Sequence, residues 1–176
     1  MPKHFVKSLI LISFVLSFAV GVAAQNDCGL AGAPKLSGFN LGMSPAEAQA
    51  VVGNDLKIKV KQSGQRTFFQ NFINEAAPNS LRGVRALFLR FLDGRLYQIE
   101  IFYEDRNDLQ TLADWTANLT AAMNLPPNIW QIKQNIASVK CGVFLLTAHK
   151  ILNPYVELTD EPARAKVEAM RKKNAE

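Results

Sequence analysis

The sequence predicts an α+β fold, with one antiparallel sheet of about five to six strands and two main helices packed on one face. Three observations lead to this prediction. A short segment near residue 45 carries start and stop signals of a helix. Two β-forming runs meet at Asp93-Gly94, the dipeptide of a two-residue hairpin turn. The predicted order is helix, four strands, helix, two strands, and its short connections favour antiparallel pairing.

The first helix is predicted between Ser44 and Gly53. Ser44 is a suitable N-cap, Pro45 fits the first helical position, and Glu47 completes a capping box three residues after the cap. Gly53 suits the position that follows a helix, where a left-handed backbone is common. Start and end are therefore both specified by local chemistry.

The same stretch, Gly42-Met43-Ser44-Pro45-Ala46-Glu47 followed by Val51-Val52-Gly53, resembles a known helix start. The pattern G-M-[ST]-x-x-[EQ]-V occurs in small outer-membrane-assembly lipoproteins of the SmpA/OmlA type and in the β-lactamase-inhibitor-protein-like fold. The similarity covers only Phe39 to Gly53. It implies a small exported α+β domain that binds proteins or envelope components and catalyses nothing. The chain lacks the family's lipobox cysteine, so lipid anchoring is not implied, and no functional residue of the family can be assigned here.

Four strands are predicted before the second helix, at Leu56 to Lys61, Arg66 to Ile73, and the two arms of the Asp93-Gly94 hairpin. An uninterrupted register from that turn pairs Leu92 with Arg95, Phe91 with Leu96 and Leu89 with Gln98. One face then carries Val84, Ala86, Phe88, Ile99, Ile101 and Tyr103, which we predict to be the core face. The other carries Leu87, Leu89, Phe91, Leu96 and Phe102.

The second half of the chain predicts a helix capped by Asn107 or Asp108 and ending near Met123, before Pro126. One strand is expected at Val139 to Thr147 and a short one at Tyr155 to Thr159.

The first 24 residues are typical of a secretory signal peptide. Lys3, His4 and Lys7 form a basic start, Ser8 to Val20 is largely apolar, and Val22 to Ala24 offers small residues to a peptidase. The apolar run is shorter than the roughly 20 residues of a spanning helix, which favours cleavage over a membrane anchor. We therefore expect a secreted or periplasmic protein with no transmembrane segment after cleavage.

The predicted domains are the signal peptide at residues 1–24, a single α+β domain at 25–160, and a polar C-terminal helix or tail at 161–176, which we expect to fray. Cleavage removes Lys3 and Lys7 from the 20 basic residues and none of the 15 acidic ones, so the formal charge falls from +5 to +3. The basic residues are scattered and are densest at Arg171 to Lys173. This distribution does not predict nucleic-acid binding.

Cys28 and Cys141 are the two cysteines of the chain, and an oxidising compartment favours one disulfide between them. Two other roles for Cys28 are disfavoured. A lipid-acceptor cysteine would directly follow the apolar leader, and a catalytic thiol would need a histidine partner. His149 is the one histidine left after cleavage, and we interpret it as structural.

No catalytic, cofactor-binding or metal-ligating pattern stands out. The acidic residues fall mostly at helix caps or on solvent faces, where they do not form the converging pair of a hydrolase. The sequence therefore predicts a protein that is not an enzyme and has no cofactor.

The predicted function is an exported interaction module of the bacterial envelope or periplasm, whose partner is a protein or an envelope component. The predicted contact residues are Leu87, Leu89, Phe91, Leu96 and Phe102, because two helices cover only one face of the hairpin and exposed apolar patches mark contact sites. A homodimer is a further possibility for that face. The alternatives are that the remaining chain covers it, that the protein carries a small ligand between sheet and helices, or that it is a cryptic hydrolase.

Overall fold

The computed structural model describes residues 28–53, 65–71, 81–104, 111–151 and 153–175. The predicted signal peptide, the predicted strand Leu56 to Lys61 and the predicted caps Asn107 and Asp108 lie outside these residues. Within the described ranges, no helix is long and apolar enough to cross a bilayer.

The α+β class and the antiparallel sheet are confirmed, with seven strands in the described sheet. The elements in chain order are α1 (Pro45–Val52), β1 (Gln65–Asn71), β2 (Val84–Leu92), β3 (Arg95–Tyr103), α2 (Leu112–Met123), β4 (Gln131–Lys133), β5 (Ile136–Cys141), β6 (Phe144–His149), β7 (Tyr155–Asp160) and α3 (Glu161–Lys173). The second helix begins later than predicted, because the hydroxyl of Thr111 accepts from the amide of Asp114 and caps it.

The strand order in the sheet is β1-β2-β3-β7-β6-β5-β4, and every neighbouring pair is antiparallel. Strand β7 therefore lies directly beside β3, although the two are far apart in sequence. Their register places Phe102 opposite Tyr155 and Glu100 opposite Glu157. This contact joins the N-terminal hairpin to the C-terminal strands in one continuous sheet.

A β-bulge changes the predicted register of the β2–β3 hairpin. Leu92 pairs with Arg95 and Phe91 with Leu96 as predicted, but Arg90 pairs with Gln98, which leaves Tyr97 as the extra residue. A slip of one residue moves every later side chain of that strand to the other face. The predicted pairing of Leu89 with Gln98 is therefore wrong, since Leu89 lies opposite Ile99.

The bulge brings Ile99 and Ile101 of the predicted core face together with most of the other apolar set in one core. Phe88, predicted to lie on the core face, is half-buried on the opposite side of the sheet instead, where it contacts Phe102. The inner face of the sheet, defined by Leu87, Leu89, Phe91, Ile99 and Ile101, is fully buried. The other strands add Ala137, Val139, Leu146, Ala148, Val156 and Leu158, and the helices add Ala48, Val52, Trp115 and Leu119. That α1 and α2 form a two-helix layer on one face stays a prediction.

The predicted single strand Val139 to Thr147 is two strands. Strands β5 and β6 form a hairpin in which Cys141 pairs with Phe144 across Gly142-Val143. Gly142 adopts a positive φ of 43°, which glycine tolerates without a side-chain clash. A glycine inside an apolar run favours a break between two strands, and the prediction of a single strand disregarded this. The three-residue strand β4 was not predicted, and its side chains are all exposed.

The helix start that carries the family resemblance has a structural role in this chain. The amide of Gly42 donates a hydrogen bond of 2.7 Å to the carbonyl oxygen of Leu96. The amide of Leu96 in turn donates one of 2.8 Å to the carbonyl oxygen of Met43. The capping box is complete, because the Ser44 hydroxyl accepts from the Glu47 amide and the Glu47 carboxylate accepts from the Ser44 amide. The segment therefore fixes α1 against the beginning of β3.

Replacing Ser44 by alanine should lower the free energy of unfolding by about 1 kcal/mol, because the amide of Glu47 loses its acceptor. Chemical denaturation of the wild type and Ser44→Ala measures the loss. Ser44→Thr is the matched control, since threonine keeps the capping hydroxyl. Equal losses in the two variants would mean that the cap does not stabilise α1.

The predicted disulfide is confirmed: Cys28 is bonded to Cys141, with their Cα atoms 5.4 Å apart. Cys141 is fully buried at the end of β5, and Cys28 begins the described chain and is half-buried. The bond therefore fastens the segment before α1 to the C-terminal half of the sheet.

The C-terminal segment is a helix, the first of the two alternatives predicted for it. The carboxylate of Asp160 caps α3, and Val167 packs with Leu92 and Tyr97 in a second, smaller core. An ion pair of 2.7 Å between Lys166 and Asp93 links the helix to the hairpin turn. Helix α3 thus covers one end of the sheet face opposite the main core.

Candidate binding face

The structure does not bring the five predicted contact residues together on one surface. Leu87, Leu89 and Phe91 are 0% exposed and Leu96 is 1% exposed, so the expectation that they form an exposed contact face is wrong. They lie in the main core instead, because the bulge at Tyr97 aligns them with Ile99 and Ile101. Phe102 is half-buried and lies on the opposite side of the sheet.

This opposite side, which we call the outer face, is partly open to solvent. Its half-buried side chains come from β2, β3, β7 and β6, and they are Phe88, Arg90, Glu100, Phe102, Tyr155, Glu157, Thr147 and His149. Within the described chain, α3 packs against one end of this face. Apolar and charged side chains of the remaining area stay within reach of a partner.

Four rings form a row across four neighbouring strands of the outer face. Phe102 is paired with Tyr155 and Tyr155 with His149, and their ring centroids are 4.9 and 4.2 Å apart. Phe88 meets Phe102 edge to face at 5.6 Å. We call Phe88, Phe102, Tyr155 and His149 the aromatic row, and Ile136, paired with His149 and 39% exposed, extends it to β5.

The rings of the row are ordered by their contacts with one another. The planes of Tyr155 and His149 are only 7° apart, and those of Phe102 and Tyr155 are 25° apart. Stacking of this kind covers both faces of the Tyr155 ring. The row therefore offers ring edges rather than open ring faces, and its side chains lose little conformational freedom when a partner binds.

Charged groups border the row toward α3. A guanidinium nitrogen of Arg90 lies 2.9 Å from a carboxylate oxygen of Glu100 and donates to the side-chain oxygen of Gln98 at 2.7 Å. Burial raises the pKa of Glu100, the Arg90 charge opposes this increase, and the charge of Glu157 adds to it. The Arg90–Glu100 pair is thus partly shielded from solvent.

Glu157 lies directly opposite Glu100 on β7. Its carboxylate accepts a hydrogen bond of 2.7 Å from the hydroxyl of Thr159. Burial, followed by the charges of Glu157 and Glu100, raises the pKa of Tyr155. Two carboxylates on neighbouring strands thus act on the central ring of the row.

His149 forms the β6 end of the aromatic row. Its Nε2 lies 3.1 Å from the hydroxyl oxygen of Thr147, and its ring is half-buried against Tyr155. Burial lowers the pKa of His149, and the charge of Glu157 opposes this effect. The lowered pKa favours the neutral ring, which suits its place in the aromatic row.

An NMR titration should place the pKa of His149 below the ordinary value of about 6.5. Because the unfolded chain then binds this proton more readily, stability should decrease as the pH falls through 6.5 toward the folded-state pKa. His149→Gln should lack this part of the pH dependence. A folded-state pKa at or above the ordinary value would contradict the burial of the ring.

A cleft of about 490 Å³ separates the outer face from α3. Its walls come from the sheet, with Arg90, Tyr97, Gln98, Glu100, Phe102, Tyr155 and Glu157, and from the helix, with Arg164, Glu168 and Arg171. Three arginines and three glutamates line it, so it is not a site of one dominant charge. In the described ranges, no cluster of three or more His, Cys, Asp and Glu side chains forms a metal site.

Most residues of this face were not among the predicted contact residues. Tyr155 was predicted only as the start of a short strand, Glu157 was counted among the acids at helix caps or on solvent faces, and His149 was interpreted as structural. A usable signal was present, since Phe102, Tyr155 and His149 each alternate with buried neighbours along their strands. Their meeting depends on β7 pairing with β3, which no local pattern shows.

Comparisons with protein-family models, with curated proteins and with solved structures find no match for this chain. The resemblance around Gly42 to Gly53 therefore stays a prediction. The geometry of the outer face is the basis for a functional proposal.

Proposed function

We propose that this chain is an exported, non-enzymatic module of the bacterial cell envelope that binds a protein partner through its outer face. The proposal keeps the predicted use of a sheet face and moves it to the side opposite the main core. The observation that supports it is the aromatic row, which joins half-buried rings from four strands. Phe102, Tyr155 and His149 stack in register, and Phe88 meets Phe102 edge to face.

The row has the properties of a protein contact site. Aromatic residues are enriched at the centres of protein interfaces, and rigid rings lose little entropy on binding. The Arg90–Glu100 pair and Gln98 border the row with hydrogen-bonding groups, as in the polar rim of an interface. A sugar-binding platform would present open ring faces, whereas the faces of Tyr155 are covered by Phe102 and His149.

Export is supported by the covalent structure of the chain. A disulfide between Cys28 and Cys141 is expected in an oxidising compartment and is rare in reducing cytosol. The leader at residues 1–24 has the composition of a signal peptide. The periplasm or the cell exterior is the location consistent with both features.

Photo-crosslinking in cells that export the protein tests the proposal. Phe102 is replaced by p-benzoylphenylalanine, which keeps an aromatic ring at the row. Ala117, exposed on α2, is replaced in the same way as the control. We expect a discrete adduct of higher mass from position 102 and none of the same mass from position 117.

A second substitution links the adduct to the row. Tyr155→Ser should abolish the adduct from position 102, because it removes the central ring. An adduct of the same yield from positions 102 and 117, or none from position 102, would contradict binding through the outer face.

A further inference from the structure

The central ring of the row lies beside the Glu157 carboxylate, which forms no ion pair with any described residue. Among the described residues, no Lys, Arg or His nitrogen lies within 4.0 Å of the Glu157 carboxylate. It accepts a hydrogen bond from the hydroxyl of Thr159, which is neutral. A half-buried carboxylate without a cation is uncommon, because burial disfavours the charged form unless it is paired.

None of the neighbouring cations in the described part of the chain forms an ion pair with Glu157. Arg90 is 2.9 Å from Glu100, and Glu157 is the charged side chain of the described sheet wall that forms no ion pair. On the helix wall, Arg164 is engaged by Glu161 at 3.0 Å and faces Glu168 at 3.9 Å. Arg171 acts on Tyr97, whose pKa is raised by burial and lowered by the charges of Arg90 and Arg171.

We propose that the partner inserts a basic side chain, an arginine or a lysine, into the cleft between α3 and the outer face, where it pairs with Glu157. This inference rests on the proposed function and names the chemistry that the partner must supply. The cleft, about 490 Å³ in volume, has room for a side chain of this size. Glu100 lies opposite Glu157 and is itself paired with Arg90, so Glu157 is the carboxylate of the sheet wall that the partner's cation would pair with.

Binding of a partner makes the cation necessary. A surface that covers the aromatic row removes water from Glu157, and a carboxylate that loses water without a partner weakens the complex. A neutral or acidic side chain at this position would leave Glu157 without a countercharge in the complex.

NMR titration of the protein, with ¹³C-labelled glutamate side chains, tests this pairing without knowledge of the partner. The probe is acetyl-Gly-Arg-Gly-amide, and acetyl-Gly-Gln-Gly-amide is the neutral control. We expect the arginine peptide, at millimolar concentration, to shift the carboxylate signal of Glu157 and the amide signals of Tyr155 and Thr159. The glutamine peptide should leave these signals unchanged.

Two variants locate the effect. Glu157→Gln should weaken binding of the arginine peptide by about tenfold, the loss of roughly 1.4 kcal/mol. Glu104→Gln is the matched control, because Glu104 is exposed just after β3 and is not among the residues that line the cleft. It should change the affinity by less than about twofold, because exposed charges outside the cleft are screened by solvent and salt.

The outcomes separate this inference from the proposed function. Equal shifts with both peptides, no shift at all, or shifts at Glu168 in place of Glu157 would overturn the pairing with a basic side chain. If the adduct from position 102 persists in Glu157→Gln at unchanged yield, the outer face binds a partner, but the proposed pairing of Glu157 with the partner's basic side chain is wrong. If the wild-type protein shows no peptide shifts and the protein with p-benzoylphenylalanine at position 102 gives no adduct, both proposals are wrong.

Discussion

Replacing Phe91 by alanine should lower the free energy of unfolding by about 3–5 kcal/mol, the usual cost of removing a buried phenylalanine ring. Phe91 is 0% exposed and lies in the main core with Leu89 and Leu96. The cavity left by the ring cannot fill with water, because apolar side chains line it. Chemical denaturation with a two-state fit measures the loss.

The matched control is Phe102→Ala, which removes the same ring from the outer face. Phe102 is half-buried and contacts Phe88 and Tyr155. The loss should be clearly smaller than for Phe91→Ala, because less apolar area returns to water. If Phe91→Ala were as stable as the wild type, Phe91 would have to be exposed, and the inner face could again be the contact surface.

Replacing Cys28 by serine should lower the free energy of unfolding by about 4–5 kcal/mol in the loop-entropy model. The bond closes a loop with a sequence separation of 113 residues, and the unfolded chain regains that freedom when the bond is lost. Cys28 is the better position for the change, because Cys141 is fully buried and its replacement would also alter packing. Urea denaturation of oxidised wild type and variant measures the difference.

Reduced wild-type protein is the control for this variant. Both lack the same bond, so their unfolding midpoints should agree and should lie well below that of the oxidised protein. An oxidised protein no more stable than Cys28→Ser would show that the bond between the N-terminal segment and β5 does not stabilise the fold.

The features predicted correctly from the sequence are those set by local chemistry. Ser44, Pro45 and Glu47 specify the start of α1 through hydrogen bonds and backbone geometry within one turn. Asp93-Gly94 specifies a hairpin turn because both residues tolerate a positive φ, and both adopt one. The disulfide followed from two cysteines in a chain with a predicted signal peptide. The first two predictions depend on neighbouring residues alone, and the third needed only a count of the cysteines, although these have a sequence separation of 113.

The bulge at Tyr97 could not be predicted in this way, because distant residues determine it. Leu96 exchanges hydrogen bonds with Gly42 and Met43, whereas Gln98 pairs with Thr159 of β7. Tyr97 lies where β3 changes from one neighbour to the other. The extra residue moves Leu89 opposite Ile99 and sends Phe102 to the outer face.

The candidate site was missed for the same reason. Phe102 and Tyr155 are far apart in sequence, and they meet only because β7 lies beside β3. A pattern within one strand shows which side chains share a face, but it does not show which strand is the neighbour. The predicted contact face was therefore assigned to residues that are buried in the core.

The central claim is that the outer face, and not the inner face, binds the partner. The most direct measurement is the yield of the photo-adduct from position 102 in a Tyr155→Ser background, read together with the thermal melt of Tyr155→Ser. We predict a folded variant with a cooperative melt, a modest loss of stability and no adduct. A cooperative melt with an undiminished adduct would contradict the claim, because the central ring of the aromatic row would then contribute nothing to binding.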